Sequence, residues 1–450
     1  MIILGVNISN LKQQAWDNRK MIIILIVLFL LAMSVRSTIV RYEGNYLFEP
    51  DAYYHARLIQ EVVQQGYVNE IDPNVYYAVE GGKAHQPPSL YHYINAGIYN
   101  IFTLGNYDKE SLAFSVQFLP IIFGALISIA MYFLGKEVFK SKKLGIIAGF
   151  LTAVSPAFAY RTMAGAQGDN SLGFLWMVIG FVFIIKALKT DTLNKTDLIN
   201  TLIAGIFFAI MVFTWRMNLL IPAVLIPSIG FILLYKAYKA KSGSIQKSAL
   251  TNIIIKSGIS LAIYTIASYA YGENWINSAL SSANSVLEIG TTPILILGVI
   301  GAIILIGISF WLQNSKEEYK QYGLYLTVIG LYIGLFALLF MFATVPDAFY
   351  GADGRTGIGS LVGEESVGVN SFAIKYNVLI ILPFVGLFVL PLGMLLLKRK
   401  DMHLQIILWF WALVTLFMAW YKLKFTFVFG LGLVMGSLLL FDILFKVLKK

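Results

Sequence analysis

Residues 21–35 read MIIILIVLFLLAMSV, a run without a charged side chain, fenced by Arg19-Lys20 on one side and Arg36 on the other. With its flanks, such a run makes a helix able to cross a hydrocarbon core of about 30 Å. Working outward, the same signature recurs at 111–135, 144–160, 171–185, 198–215, 217–235, 257–272, 289–315, 321–346, 376–397, 404–421 and 425–441. The chain of 450 residues is 58% hydrophobic and only 13% charged, whereas soluble domains approach a quarter charged. These observations predict an all-α polytopic membrane protein of about 12 spans. No Pro- or Gly-rich linker, low-complexity tract or internal repeat divides it, so a single integral domain over 1–450 is expected.

The net charge of +10 raises nucleic acid as a partner, but the positions of the charges remove the motive. With the N-terminus on the inside, the inner connections hold Lys12, Arg19, Lys20, Lys136, Lys140, Lys142, Lys143, Lys186, Lys189 and Lys195. They continue with Lys236, Lys239, Lys241, Lys247, Lys256, Lys316, Lys320, Lys398, Arg399, Lys400, Lys446, Lys449 and Lys450, so most of the 34 basic residues lie inside. That is the positive-inside pattern, with both termini cytoplasmic. The bilayer is therefore the expected partner and nucleic acid is not. Residues 21–40 read as a signal anchor, not a cleaved leader. Acidic residues lean the other way, and two outer segments are long, 41–110 and 347–375. The working face is accordingly expected outside the cell.

Cysteine is absent, which excludes disulfide frameworks, thiolate metal sites and Cys nucleophiles. With only His55, His85, His92 and His403 as imidazoles, a resident metal would rest mainly on carboxylates, the chemistry of Mg or Mn. The first outer loop opens Phe48-Glu49-Pro50-Asp51-Ala52-Tyr53-Tyr54-His55-Ala56-Arg57. Pro50 at a first turn, apolar Leu58, Ile59, Val62 and Val63, and Gly66 as a stop predict a short amphipathic helix. Glu49 and Asp51 would lie at its positive end, as caps or as site carboxylates. The second outer turn reads Arg161-Thr162-Met163-Ala164-Gly165-Ala166-Gln167-Gly168-Asp169-Asn170-Ser171. Asp169 there either caps the next helix or marks a site, because an acid at a helix end in a membrane is costly unless paired or metal-bound.

Between Asp347 and Lys375, glycines 351, 354, 357, 359 and 363 surround Arg355 and precede Glu364-Glu365-Ser366, the composition of a lid or of an ordinary flexible connection. Near the end, Lys422 and Lys424 stand at an outer boundary, as does Arg216 beside Trp215. Such cations serve as snorkelling anchors or as phosphate contacts. Asp51, Asp169 and Glu364, on three separate segments, could share one divalent cation beside the membrane.

In this order and on these positions, the motifs resemble the catalytic subunit of oligosaccharyltransferase, a GT-C glycosyltransferase. The resemblance runs from Glu49-Pro50-Asp51 to Lys424-Phe425. The second turn is similar to a family pattern R-T/S-x-A/S-G-x-x-D-x-D/E, with one extra residue before Asp169 and Ser171 where a second acid would follow. Leu361-Val362-Gly363-Glu364 is the nearest match to the family's late-loop glutamate, with Glu365 as its alternate. The resemblance implies that Asp51, Asp169 and Glu364 bind Mg or Mn, with Glu49, Glu365 and Ser171 as alternates. It further implies that Asp51 and Glu364 hold an acceptor asparagine amide and that Arg161 supports the first-loop carboxylate. Lys422 or Lys424 would contact the donor phosphate, with Arg216 and Arg355 as further candidates. The implied activity is transfer of an oligosaccharide from a polyprenyl (dolichyl) phosphate carrier to Asn of an acceptor polypeptide. No W-W-D-Y-G sequence follows the last span, so the expectation is that a separate chain supplies sequon reading, that the acceptor differs, or that activity is lost. Another GT-C transferase using a polyprenyl-phosphate sugar, a partner-dependent or inactive homologue, and a lipid-linked sugar flippase or transporter remain the alternatives.

Overall fold

The computed structural model describes residues 2–3, 6–40, 47, 50–69, 71–72, 83–84, 89–215, 217, 219–239, 247–272, 385–387, 403–421 and 425–448. Besides turns and connections, these residues form helices and two short antiparallel ladders, Ile2–Ile3 with Val6–Asn7 and Ile71–Asp72 with Lys83–Ala84. Among them, six helices are long and apolar enough to cross a membrane, and the protein is multi-pass. The expected spans at 289–315, 321–346 and most of 376–397 lie outside the described residues. The others fall on helices, although Ile8–Ser37 and Lys247–Ala270 begin well ahead of the expected 21 and 257 and 144–160 is divided between two helices.

The chain forms two compact units. The first, 1–155 with 159–182, contains α1 (Ile8–Ser37), α2 (Pro50–Gln65), α3 (Leu90–Thr103), α4 (Lys109–Phe139), α5 (Lys142–Val154) and the first part of α7 (Gly168–Leu188). Helix α2 is the predicted first-loop helix. Its stop is also as read from the sequence: Gly66 takes φ +87 and its N–H donates to the Val62 carbonyl at 2.9 Å, a conformation that costs glycine little. Helix α3 was not anticipated. Ser89 caps it by accepting from the Tyr91 N–H at 3.2 Å, and Tyr91, Ala96 and Tyr99 form its buried face. It packs on α2 and α4.

The expected single span 144–160 is interrupted. Helix α5 ends at Val154 and α6 (Pro156–Tyr160) begins after Ser155, which is extended at φ −61, ψ 113. Pro156 disfavours a helical conformation in the residue before it. Helices α4 and α5 pack on each other and both pack on α1. Their approach is so close at Gly145 that an added Cβ would lie 2.7 Å from the Tyr132 carbonyl oxygen, the small-residue contact that lets membrane helices touch backbone to backbone.

One buried cation organises this unit. Arg36, fully buried at the end of α1, donates from Nε to Thr162 Oγ1 at 2.8 Å. From its terminal nitrogens it donates to the carbonyls of Ala32 at 3.1 Å, Ala153 at 2.9 Å and Thr152 at 3.3 Å. Its own carbonyl accepts from the Ala164 N–H at 3.2 Å. Arg36 thus ties α1, the last carbonyls of α5 and the 161–167 turn together. Gly124 leaves the guanidinium its space, since a Cβ there would lie 2.4 Å from Nε.

The second unit, 156–158 with 183–450, holds α8 (Lys195–Thr214), α9 (Leu220–Lys239), α10 (Lys247–Ala270), α11 (His403–Tyr421) and α12 (Thr426–Val447). Helix α10 packs on α8, α9 on α11, and α11 on α12. Lys256, read from the sequence as one of the orienting charges, is in fact fully buried on α10. It pairs with Asp197 at 3.0 Å and donates to the carbonyls of Ala187 at 2.7 Å and Thr190 at 2.9 Å. A buried pair is costly to break because the surviving charge has no solvent. Lys256→Met is therefore expected to lower unfolding stability in detergent by about 3–5 kcal/mol, and adding Asp197→Asn should restore part of the loss. An unchanged thermal midpoint in Lys256→Met would show that the pair contributes nothing.

Candidate functional site

Three helix starts meet in the first unit. Asp51 lies in the first turn of α2 with its side chain exposed, and His55 is one turn further on, so both occupy the same helix face. His92 lies in the first turn of α3, 2% exposed. Asp169 lies in the first turn of α7, and its Oδ1 accepts from the Asn170 N–H at 2.7 Å. Carboxylates are favoured at such positive helix ends.

The links among these residues are short. His55 Nδ1 and His92 Nε2 are 2.8 Å apart in a hydrogen bond. The other nitrogen of His55, Nε2, is 3.3 Å from Gln167 Nε2 and 3.8 Å from Asp169 Oδ2. Gln167 Oε1 in turn accepts from Asn170 Nδ2 at 3.4 Å. Around the imidazole stand Tyr54 and Tyr91, each edge-on with ring centroids at 5.5 and 5.6 Å. Burial lowers the His55 pKa to about 4 against the opposing pull of Asp51, so the ring is neutral at pH 7. Burial, then the charge of Asp169, pushes the Tyr91 phenol well above its usual value. Tyr91 also sets the backbone: a Cβ on Gly168 would stand 2.2 Å from its hydroxyl, so the α7 start approaches this ring as only glycine can.

Arg161, 8% exposed, ends α6 with its guanidinium 6.0 Å from the Tyr160 ring centre. Ser171, fully buried, directs its hydroxyl to the Arg161 carbonyl at 3.4 Å and so pins the two ends of the turn together. Arg57 pairs with Glu61 at 3.1 Å and lies over the Tyr54 ring at 5.6 Å. The structure thus brings together the segments bearing Asp51, Asp169, Arg161 and Ser171. Glu49, Arg216, Arg355, Glu364, Glu365, Lys422 and Lys424 lie outside the described residues, as does the loop 347–375. Sequence reading had not assigned roles to His55, His92, Tyr91, Gln167 or Arg36. Two signals were available: the spacing of Asp51 and His55 by four residues on a helix, and Arg36, a cation at the C-terminal end of the first apolar run.

A divalent cation suits this donor set. The carboxylates of Asp51 and Asp169 are within electrostatic reach of each other, and the Asp169 side chain is only 10% exposed. An enclosed carboxylate with a second, exposed one in reach favours a counter-cation. Among the described residues, no three His, Cys, Asp or Glu side chains are already gathered around one point, so binding requires a third donor to move in.

Comparison with known proteins gives a consistent picture. The family profile described as oligosaccharyl transferase STT3, N-terminal, matches residues 19–448. A dolichyl-phosphooligosaccharide-protein glycotransferase 2 of Archaeoglobus fulgidus is 26% identical over 206 residues, which is 44% of this chain and 31% of that protein. The dolichyl-diphosphooligosaccharide–protein glycosyltransferase subunit of Schizosaccharomyces pombe is 26% identical over 188 residues, 40% of this chain and 24% of that one. Among solved structures, an archaeal oligosaccharyltransferase of A. fulgidus with an inhibitory peptide and a dolichol-phosphate superposes with a TM-score of 0.64. Its identity is 17%, over 96% of this chain and 51% of the other. A second A. fulgidus oligosaccharyltransferase structure, with Zn and sulfate, gives a TM-score of 0.59 at 19% identity, covering 94% and 49%. The chain therefore spans about half the length of the structures it resembles, and these likenesses establish a shared fold. The profile match over nearly all of its length shows that the chain belongs to the STT3 family of oligosaccharyl transferases.

Proposed function

We propose that the chain transfers an oligosaccharide from a polyprenyl (dolichyl) phosphate carrier to the side-chain amide of Asn in an acceptor polypeptide. Family membership supports the transferase reading over a transporter. The observation that carries the reading is the enclosed Asp169 carboxylate beside the Asp51–His55 face of α2. We place this site on the extracytoplasmic side of a twelve-span chain whose two termini are cytoplasmic, as the distribution of Lys and Arg supports.

In this reading Asp51 and Asp169 would hold Mg or Mn, joined by Glu364, or by its neighbour Glu365, from the late loop. Such a cation, when bound, would neutralise charge on the departing phosphate. Asp51 and Glu364 accept hydrogen bonds from the acceptor amide, which weakens its conjugation and orients the nitrogen toward the anomeric carbon. The new bond joins that carbon to the amide nitrogen, the carbon–oxygen bond to the carrier phosphate breaks, and its electron pair leaves on the phosphate. The amide proton passes to a carboxylate or to solvent. Arg161 fixes the turn that presents Asp169, and Lys422 or Lys424, with Arg216 and Arg355, receives the carrier phosphate.

Purified chain, a polyprenyl-phosphate oligosaccharide and an Asn-x-Ser/Thr peptide test this by mass spectrometry of the peptide. The peptide is expected to gain the glycan mass, Asp51→Asn and Asp169→Asn to slow turnover by about 100-fold or more, and EDTA to abolish it until Mn or Mg is restored. Turnover indifferent to both substitutions would remove the site. Gly168→Ala should move the start of α7 off Tyr91 and lower turnover without loss of the folded state, judged by thermal unfolding of the same sample. Normal turnover there would mean that this close approach is not needed.

A further inference from the structure

Resting on the reading just given, we infer that His55 is a nitrogen ligand of the divalent cation held by Asp51 and Asp169, and that His92 fixes the His55 ring for that task. The 161–171 turn holds one carboxylate, Asp169, and its Ser171 hydroxyl is engaged with the Arg161 carbonyl. An imidazole from a different segment approaches that carboxylate, at 3.8 Å from His55 Nε2 to Asp169 Oδ2.

The hydrogen bonds assign the lone pairs. Gln167 spends its oxygen on Asn170 Nδ2, which turns its NH₂ toward His55 Nε2 at 3.3 Å. Nε2 therefore accepts, and the proton of the neutral ring lies on Nδ1, donated to His92 Nε2 at 2.8 Å. Tautomers are assigned by such networks. The result is an imidazole lone pair, held by the Gln167 amide, with a carboxylate oxygen 3.8 Å away. Bonds of about 2.1 Å from each atom, meeting at the right angle of an octahedral ion, would set the two atoms about 3.0 Å apart, closer than the 3.8 Å at which they now stand, displacing the Gln167 amide. Asp51, exposed and one turn before His55 on the same face, reaches the same ion by a rotamer change. Ligating histidines are oriented by a partner at the other ring nitrogen, and the nearly enclosed His92 supplies that partner here.

A nitrogen donor alters ion preference. Imidazole with carboxylates suits Mn and other transition ions better than Mg, which favours oxygen alone. Purified full chain loaded with Mn²⁺ is examined by pulsed electron paramagnetic resonance and by calorimetric titration with Mn²⁺ and Mg²⁺. The expected result is a coordinated-imidazole ¹⁴N coupling that is lost in His55→Gln, with Mn²⁺ affinity falling at least about 10-fold and Mg²⁺ affinity nearly unchanged. In His92→Gln the coupling should persist while Mn²⁺ affinity falls about 10-fold, the usual effect of removing a partner that orients a ligand. Mn²⁺ binding that depends on Asp51 and Asp169 but shows no ¹⁴N coupling, or a coupling that survives His55→Gln, overturns the role of His55 and leaves the carboxylate site standing. No Mn²⁺ binding by the wild-type chain overturns both.

Discussion

A guanidinium with no access to solvent must spend its donors on the protein, and the position of Arg36 shows how much structure that demand creates. Four of its hydrogen bonds end on carbonyls of α1 and α5 and on the Thr162 hydroxyl. A charge at a membrane helix end is expensive unless it is satisfied in this way. Because those acceptors belong to three separate segments, the same bonds that relieve the charge also fix the turn leading to Asp169. Gly124 and the alanines Ala32, Ala125 and Ala153 keep the surroundings small enough for the guanidinium to fit.

From that turn the site is assembled out of helix beginnings. Asp51, His92 and Asp169 each lie in the first turn of a different helix, where unpaired backbone N–H groups give a positive potential. That field favours the carboxylate of Asp169 and so opposes the cost of its burial. The aromatic walls of Tyr54 and Tyr91 exclude water from His55, which keeps the imidazole neutral and its lone pair available. The polar residues of this region are thus held in place by packing as much as by charge.

The second unit uses the same physics for a structural end. Lys256 and Asp197 form a buried pair with Thr190, whose hydroxyl donates to Asp197 at 2.5 Å, and Asn194 caps α8 by accepting from the Asp197 N–H. Loop, helix start and neighbouring helix are locked by one charge pair. A count of basic residues by side reads Lys256 as an orientation signal, yet its burial shows that position along the chain does not reveal which charges remain in water.

The sequence by itself determined the membrane class, most of the apolar helices on described residues, and the first-loop helix from Pro50 to its glycine stop. Each rests on local rules: hydrophobic run length, the fixed φ of proline, and the freedom of glycine at φ +87. Helix α3 escaped because its apolar positions lie within a loop with mixed composition, and the break at Ser155 escaped although Pro156 signalled it. Tertiary structure alone decided which polar groups meet. His55 finds His92 across 37 positions and Gln167 across 112, and Arg36 finds Thr162 across 126. No periodicity encodes those encounters, because they depend on how distant helices pack and on where each buried donor must find an acceptor.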